Sequence, residues 1–144
     1  MIVLVHHAEA VGPEVDPMRP LSAAGRAAAA RLAADAAARG VRPDAIWHSG
    51  KVRARQTAEL FGRACQPLAR LSAVRGLQPD DPPRWIRDEL DADDRAIVIV
   101  GHMPHLNRLL HLLRGDAPGA EFPPHGCVAL ERAEAGWTEC WRLD

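Results

Sequence analysis

Ala96-Ile-Val-Ile-Val-Gly-His102-Met-Pro104 is an unbroken apolar run, mostly β-branched, that stops dead at Gly-His and then Pro. Such a run suits a central strand covered on both faces, and Pro104 suits the first turn of a following helix. His102 is thereby placed at the carboxyl end of a buried strand. The amino terminus repeats the arrangement, because Ile2-Val-Leu-Val5 ends at His6-His7 and gives way to a loop and a helix. A weaker copy, Ala45-Ile-Trp47, ends at His48-Ser49 before the segment that carries Arg53. Ligands of open α/β sheets bind beyond the carboxyl ends of the strands, so these three ends, their imidazoles and a guanidinium can share one pocket. Histidines and an arginine around one cavity suggest phosphoryl chemistry.

The chain has 144 residues, enough for one domain, residues 1–144, with a real core. Its 18 basic and 19 acidic residues leave a formal charge of −1, so no bulk field draws it to nucleic acid or to a membrane. The initial apolar run is shorter than a signal-peptide core of about 7–15 residues or a membrane span of about 20, and a cytoplasmic location is expected. Cys65, Cys127 and Cys140 are widely spaced with no Cys-x-x-Cys pair, which argues for reduced thiols rather than a disulfide framework or zinc knuckle.

Between the strands the chain reads as helices. Ser22 is a candidate N-cap for the alanine-dense run ending near Arg39, with Gly40 as its left-handed stop. Ser49-Gly50 is expected to open the next helix, where Thr57, Leu60, Phe61 and Ala64 form the core face and Arg53 lies in the first turn. Residues 68–72 read as a short strand, Gly76 to Pro83 as a loop and Arg84 to Leu90 as a short helix. Leu106, Leu109, Leu110 and Leu113 form a further helical stripe ended by Gly115. The tail alternates as a hairpin around Glu134-Ala-Gly136. The order β-α-β-α-β-α-β-α-β-β implies an α/β three-layer sandwich, mostly parallel at its centre with an antiparallel edge.

Taken in order, Leu4-Val-His-His7-Ala-Glu-Ala10, Arg19-Pro-Leu-Ser22-x-x-Gly25, Ser49-Gly-Lys-Val-Arg53-Ala-Arg-Gln56-Thr57-Ala58 and Val100-Gly-His102-x-Pro104 resemble the histidine phosphatase superfamily, whose fold is phosphoglycerate mutase-like. Within it they look most like the small SixA-type phosphohistidine phosphatases. The resemblance implies that His7 is the nucleophile, passing through a phosphohistidine, and that His102 and Arg53 hold the phosphoryl oxygens. The chemistry is consistent with that. A neutral imidazole is nucleophilic at pH 7 if one nitrogen is held protonated and the other faces phosphorus, and fixed positive donors such as Arg53 and a protonated His102 stabilise charge on the transferring group. Helix N-termini after Ser49 and His102 add backbone dipoles. Ser49 and Arg19 are further candidate phosphate contacts, and neither metal nor cofactor is required.

The family pattern has Arg immediately before the nucleophile, whereas this chain has His6. If His6 is the substitute cation, activity should weaken above neutral pH as it loses its charge, with Lys51, Arg19 or Arg55 as partial replacements. Asp80 and Asp81 are the candidate proton donors. The lack of a strong acid favours a substrate whose leaving group is an imidazole, easily expelled once protonated. The expected partner is therefore a phosphohistidine-bearing protein or a small phosphorylated molecule, with phosphate or sulfate able to occupy the pocket. A phosphate-ester phosphatase, a weakly active phosphate-binding module and a metal hydrolase are the alternatives. The last is disfavoured because His105 and His111 are six residues apart rather than the three or four that share a helix face. His48, His105, His111 and His125 read as structural, and Trp85, Trp137 and Trp141 as packing residues.

Overall fold

The structure, a computed structural model, describes residues 1–115 and 119–144. Ten elements follow in the order β1 (Ile2–His6), α1 (Ala23–Ala38), β2 (Ala45–His48), α2 (Val52–Cys65), β3 (Arg70–Ala73), α3 (Arg84–Asp91), β4 (Ile97–Gly101), α4 (His105–Arg114), β5 (Cys127–Arg132) and β6 (Trp137–Leu143). The strands form one sheet in the order β3-β2-β4-β1-β5-β6. The first four are mutually parallel, and β5 and β6 add an antiparallel edge. Among the described residues no helix is long and apolar enough to cross a membrane.

Alternation along the central strands builds two cores. Ile2, Leu4, Ile97 and Ile99 face α3 and α4, packing on Ile86, Leu90, Leu106, Leu109 and Leu113. Val3, Val5, Val98 and Val100 face the opposite way, onto Leu32, Ala33 and Ala36 of α1 and Ala54, Ala58 and Phe61 of α2. Helices on both faces of a mostly parallel sheet give the three-layer α/β sandwich, and the apolar side chains of β1 and β4 are all buried because both faces are covered.

Ser22 caps α1, its Oγ accepting the Gly25 N–H at 2.9 Å. Gly25 has no room for a side chain, since a Cβ there would lie 2.0 Å from the Glu9 carbonyl oxygen. The helix therefore starts directly against the loop that follows β1. One helix start differs from expectation. α2 begins at Val52, with Lys51 as N-cap and no side-chain cap on it; the Ser49 hydroxyl bonds His102 Nε2 and accepts the Lys51 N–H at 3.3 Å instead of capping the helix.

Candidate active site

β1, β4 and β2 are parallel, with β1 and β2 on either side of β4, so their carboxyl ends bring His6-His7, His102 and His48-Ser49 to one rim of the sheet. The His7 and His102 rings lie 4.9 Å apart between centroids, and the His6 ring meets His7 edge-on at 4.7 Å. Arg53, in the first turn of α2, is close enough for its charge to act on both His7 and His102. Three groups remote in sequence thus converge.

His7 Nδ1–H donates to the Ala8 carbonyl at 2.8 Å, which leaves the lone pair on Nε2. Burial first, then Arg53, His125 and Arg19, hold its pKa down at about 4 against the opposing pull of the Ala8 bond. The ring is therefore a neutral imidazole of fixed tautomer at pH 7, with its lone pair on Nε2. Its loop is tied to the guanidinium-bearing helix, because the buried Thr57 hydroxyl accepts the Ala8 N–H at 3.2 Å and donates to the Arg53 carbonyl at 2.9 Å. Gln56 adds a second tie, its Oε1 accepting the Leu21 N–H at 2.8 Å.

His102 shares a 2.6 Å hydrogen bond between its Nε2 and Ser49 Oγ, while Nδ1 is buried with no partner among the described residues. Burial, followed by His7, Arg53, Lys51 and His6, lowers its pKa to about 3. The protonated imidazole expected from the sequence is thus neutral in the free protein at pH 7, because it is desolvated among other cationic groups. The buried Nε of Arg53 likewise has no protein partner, and burial together with Arg19 presses its pKa below the ordinary arginine value.

His6 departs further from expectation. Its Nδ1 accepts the backbone N–H of His125 at 2.8 Å, and burial, then His7 and His125, lower its pKa to about 3. It is neutral throughout the physiological range, so it does not stand in as a cation, and the expected loss of activity above neutral pH through its deprotonation does not arise. Arg19 adopts a left-handed backbone, φ 48, and donates from Nε to the Val11 carbonyl at 3.0 Å, yet its charge still reaches His7 and Arg53. Asp81 accepts the Gln78 N–H at 2.9 Å, and Gln78 in turn donates from Nε2 to the Ser49 carbonyl at 2.8 Å. Asp80 is exposed. Neither carboxylate hydrogen-bonds a site imidazole or guanidinium among the described residues.

The residue that sequence reasoning left out is His125, in the turn before β5. Its ring stacks on His6 at 4.6 Å and 6°, and its Nδ1–H donates to the His7 carbonyl at 2.7 Å. No periodicity or motif marks it, and it lies 118 positions from His7. One ring nitrogen each from His6, His7 and His125 come within 4.8 Å of one another, a spacing that also admits a metal ion. Against that, the bond accepted at His6 Nδ1 leaves its Nε2 as an N–H, so the set presents a donor where a third metal ligand would need a lone pair.

A search of the curated proteins finds no match. Among solved structures, the protein histidine phosphatase SixA complexed with tungstate aligns over 99% of this chain and 95% of its own, at 20% identity and TM-score 0.86. A protein from Agrobacterium tumefaciens assigned as a phosphohistidine phosphatase SixA aligns over 99% of this chain and 97% of its own, at 26% identity and TM-score 0.83. A phosphoserine phosphatase from Entamoeba histolytica in complex with 3-phosphoglyceric acid is more distant, at 12% identity and TM-score 0.70 over 99% of this chain and 96% of its own. The phosphoglycerate mutase-like architecture is thus shared along the whole chain. Residues 2–78, which carry His7, Ser49 and Arg53, match the model of the histidine phosphatase superfamily (branch 1), and the chain belongs to that superfamily.

Proposed function

We propose that the protein is a phosphohistidine phosphatase that works through a covalent phospho-His7 intermediate and needs no metal. The observation that carries this reading is the 2.8 Å bond from His7 Nδ1–H to the Ala8 carbonyl, which leaves Nε2 unprotonated beside His102 and the charge of Arg53. In the first step His7 Nε2 attacks phosphorus and the bond to the substrate nitrogen breaks. Arg53 and the unpartnered Nδ1 of His102, protonated as the anion arrives, offset charge on the phosphoryl oxygens. Water then attacks phospho-His7, returning the electron pair to Nε2.

The substrate class follows from the proton donors at hand. With Asp81 engaged in a turn and Asp80 in solvent, neither of these carboxylic acids stands ready to protonate an alkoxide. An imidazole leaving group departs without one, once its distal nitrogen is protonated. The SixA neighbour is complexed with tungstate, an oxyanion with the shape of phosphate, which supports an oxyanion as the ligand of this chain as well. A small phosphorylated ester remains the second reading, favoured by the 3-phosphoglyceric acid complex of the Entamoeba neighbour.

The test compares wild type with His7→Ala on a phosphohistidine-bearing protein and on a generic aryl phosphate, each with and without a chelator. Release of phosphate from the phosphohistidine protein, abolished in His7→Ala and unaffected by chelation, is the expected result. Turnover confined to the aryl phosphate would move the reading to ester substrates. Activity lost to the chelator would move it to metal hydrolysis.

A further inference from the structure

The departure at residue 6 leaves the site short of a cation beside its nucleophile, and the structure puts something else there. His6 cannot be that cation, because its Nδ1 is occupied by the His125 N–H at 2.8 Å. The same bond has a second effect, since a neutral imidazole that accepts at Nδ1 must carry its proton on Nε2. His125 thereby fixes His6 as a donor. The His125 ring lies flat on His6, 4.6 Å away and 6° from parallel, and its own Nδ1–H is committed to the His7 carbonyl at 2.7 Å. Only Nε2 of His125 is free, on an exposed ring 6.0 Å from that of His7.

We propose that His125 is a phosphoryl-binding residue, and that it and His6 form a stacked two-imidazole clamp whose Nε2–H groups close on the oxygens of the group carried by His7. The clamp rests on the phospho-His7 reading and supplies two donors where the family pattern has one guanidinium. The spacing suits a tetrahedral anion. A nitrogen donating to a phosphoryl oxygen sits about 2.8–2.9 Å from it, so nitrogens gathered around one phosphoryl group stand roughly 4–5 Å apart, and one ring nitrogen of each of His6, His7 and His125 lies within 4.8 Å of the others. With its Nδ1–H on the His7 carbonyl, His125 donates from Nε2 in the imidazolium form, stacked on the His6 ring. Residue 125 has a left-handed backbone, φ 54, held by the two hydrogen bonds that set the clamp.

Long-range 1H–15N NMR of the imidazoles, recorded with and without orthovanadate, tests the clamp directly. In the vanadate complex both His125 Nε2 and His6 Nε2 are expected as N–H groups whose nitrogen and proton resonances move with the bound anion. In parallel, His125→Asn keeps the backbone N–H to His6, a side-chain donor near the His7 carbonyl and tolerance of positive φ, but has no nitrogen in the ε position. It should weaken vanadate inhibition and lower kcat/KM about 10- to 100-fold, with an unchanged melting temperature, while His111→Asn has no effect. His125→Gly, which also tolerates the backbone, should match His125→Asn. Vanadate that perturbs His7 and His102 but leaves His125 Nε2 untouched would overturn the clamp and spare the phosphatase reading. If no imidazole responds to vanadate, both fall. A response of His6, His7 and His125 to Zn2+ alone would make the cluster a cation site and overturn the clamp.

Discussion

In the proposed mechanism Arg53 and Ser49 act on the phosphoryl group from opposite kinds of position. Arg53 carries a buried Nε without a partner among the described residues, and its charge acts on two imidazoles that are neutral in the free protein, so in that mechanism it is the main fixed charge offered to the phosphoryl oxygens. Arg53→Ala should lower kcat about 10²–10³-fold, the usual effect of removing a donor aimed at developing charge, and Arg53→Lys should recover only part because an ammonium has no fork. Ser49 works through His102, its Oγ 2.6 Å from Nε2. A hydrogen bond to a charged partner contributes about 1.5–3 kcal/mol, so Ser49→Ala should weaken oxyanion binding about tenfold or more while leaving phospho-His7 formation detectable. Steady-state kinetics with vanadate inhibition checks both. The positions of His7 and His102 were legible because apolar runs that stop at histidine mark strand ends, and that of Arg53 because the apolar stripe of its helix puts it in the first turn. The charge states of His6 and His102 were not, since an unperturbed histidine titrates near neutrality and only burial among other cations takes these two to about 3.

At the scale of the elements, the site depends on how the loop after β1 is fastened to α1 and α2. Thr57 bonds the Ala8 N–H and the Arg53 carbonyl together, and Gly25 lets the start of α1 touch Glu9. Thr57→Val keeps the shape but leaves a buried N–H unpaired, which costs about 1–3 kcal/mol. It should lower the melting temperature and reduce kcat, because His7 and Arg53 lose their common anchor. Gly25→Ala drives a methyl group into a carbonyl oxygen and should destabilise more than Thr57→Val in denaturant titrations. The helices themselves were readable from caps and periodicity, with Ser22 and Gly115 ending up where a cap and a left-handed stop belong. The start of α2 was misplaced by three residues, from Ser49 to Val52, because a serine at a strand end can cap a helix or bond a distant histidine. Local sequence does not distinguish the two. His125 escaped for a similar reason, as its bonds to His6 and His7 cross almost the whole chain.

Across the whole molecule, the cluster of desolvated histidines sets how stability varies with pH. His6, His7 and His102 have pKa values of about 3, 4 and 3 in the folded protein against 6.5 in an unperturbed histidine. Their depressed values mean that the unfolded chain binds more protons than the folded one below 6.5. The associated stability is fully present above that pH and is lost as pH falls toward 4 and below. Thermal melting should therefore show a midpoint that falls between pH 7 and pH 4.5. Sulfate, which keeps its double charge over this range, should raise the midpoint more at pH 5.5 than at pH 7.5, because it stabilises the protonated imidazoles. A midpoint flat in pH and indifferent to sulfate would mean that the three rings do not share an anion site.

The account as a whole turns on His7 Nε2 becoming bonded to phosphorus during turnover. Rapid-quench labelling from a phosphohistidine donor, followed by peptide mapping under alkaline conditions that preserve phosphohistidine, measures that directly. The expected result is transient label on His7 that appears and decays at rates consistent with turnover and is absent in His7→Ala. Label on any other residue, or undiminished turnover in His7→Ala, would contradict it.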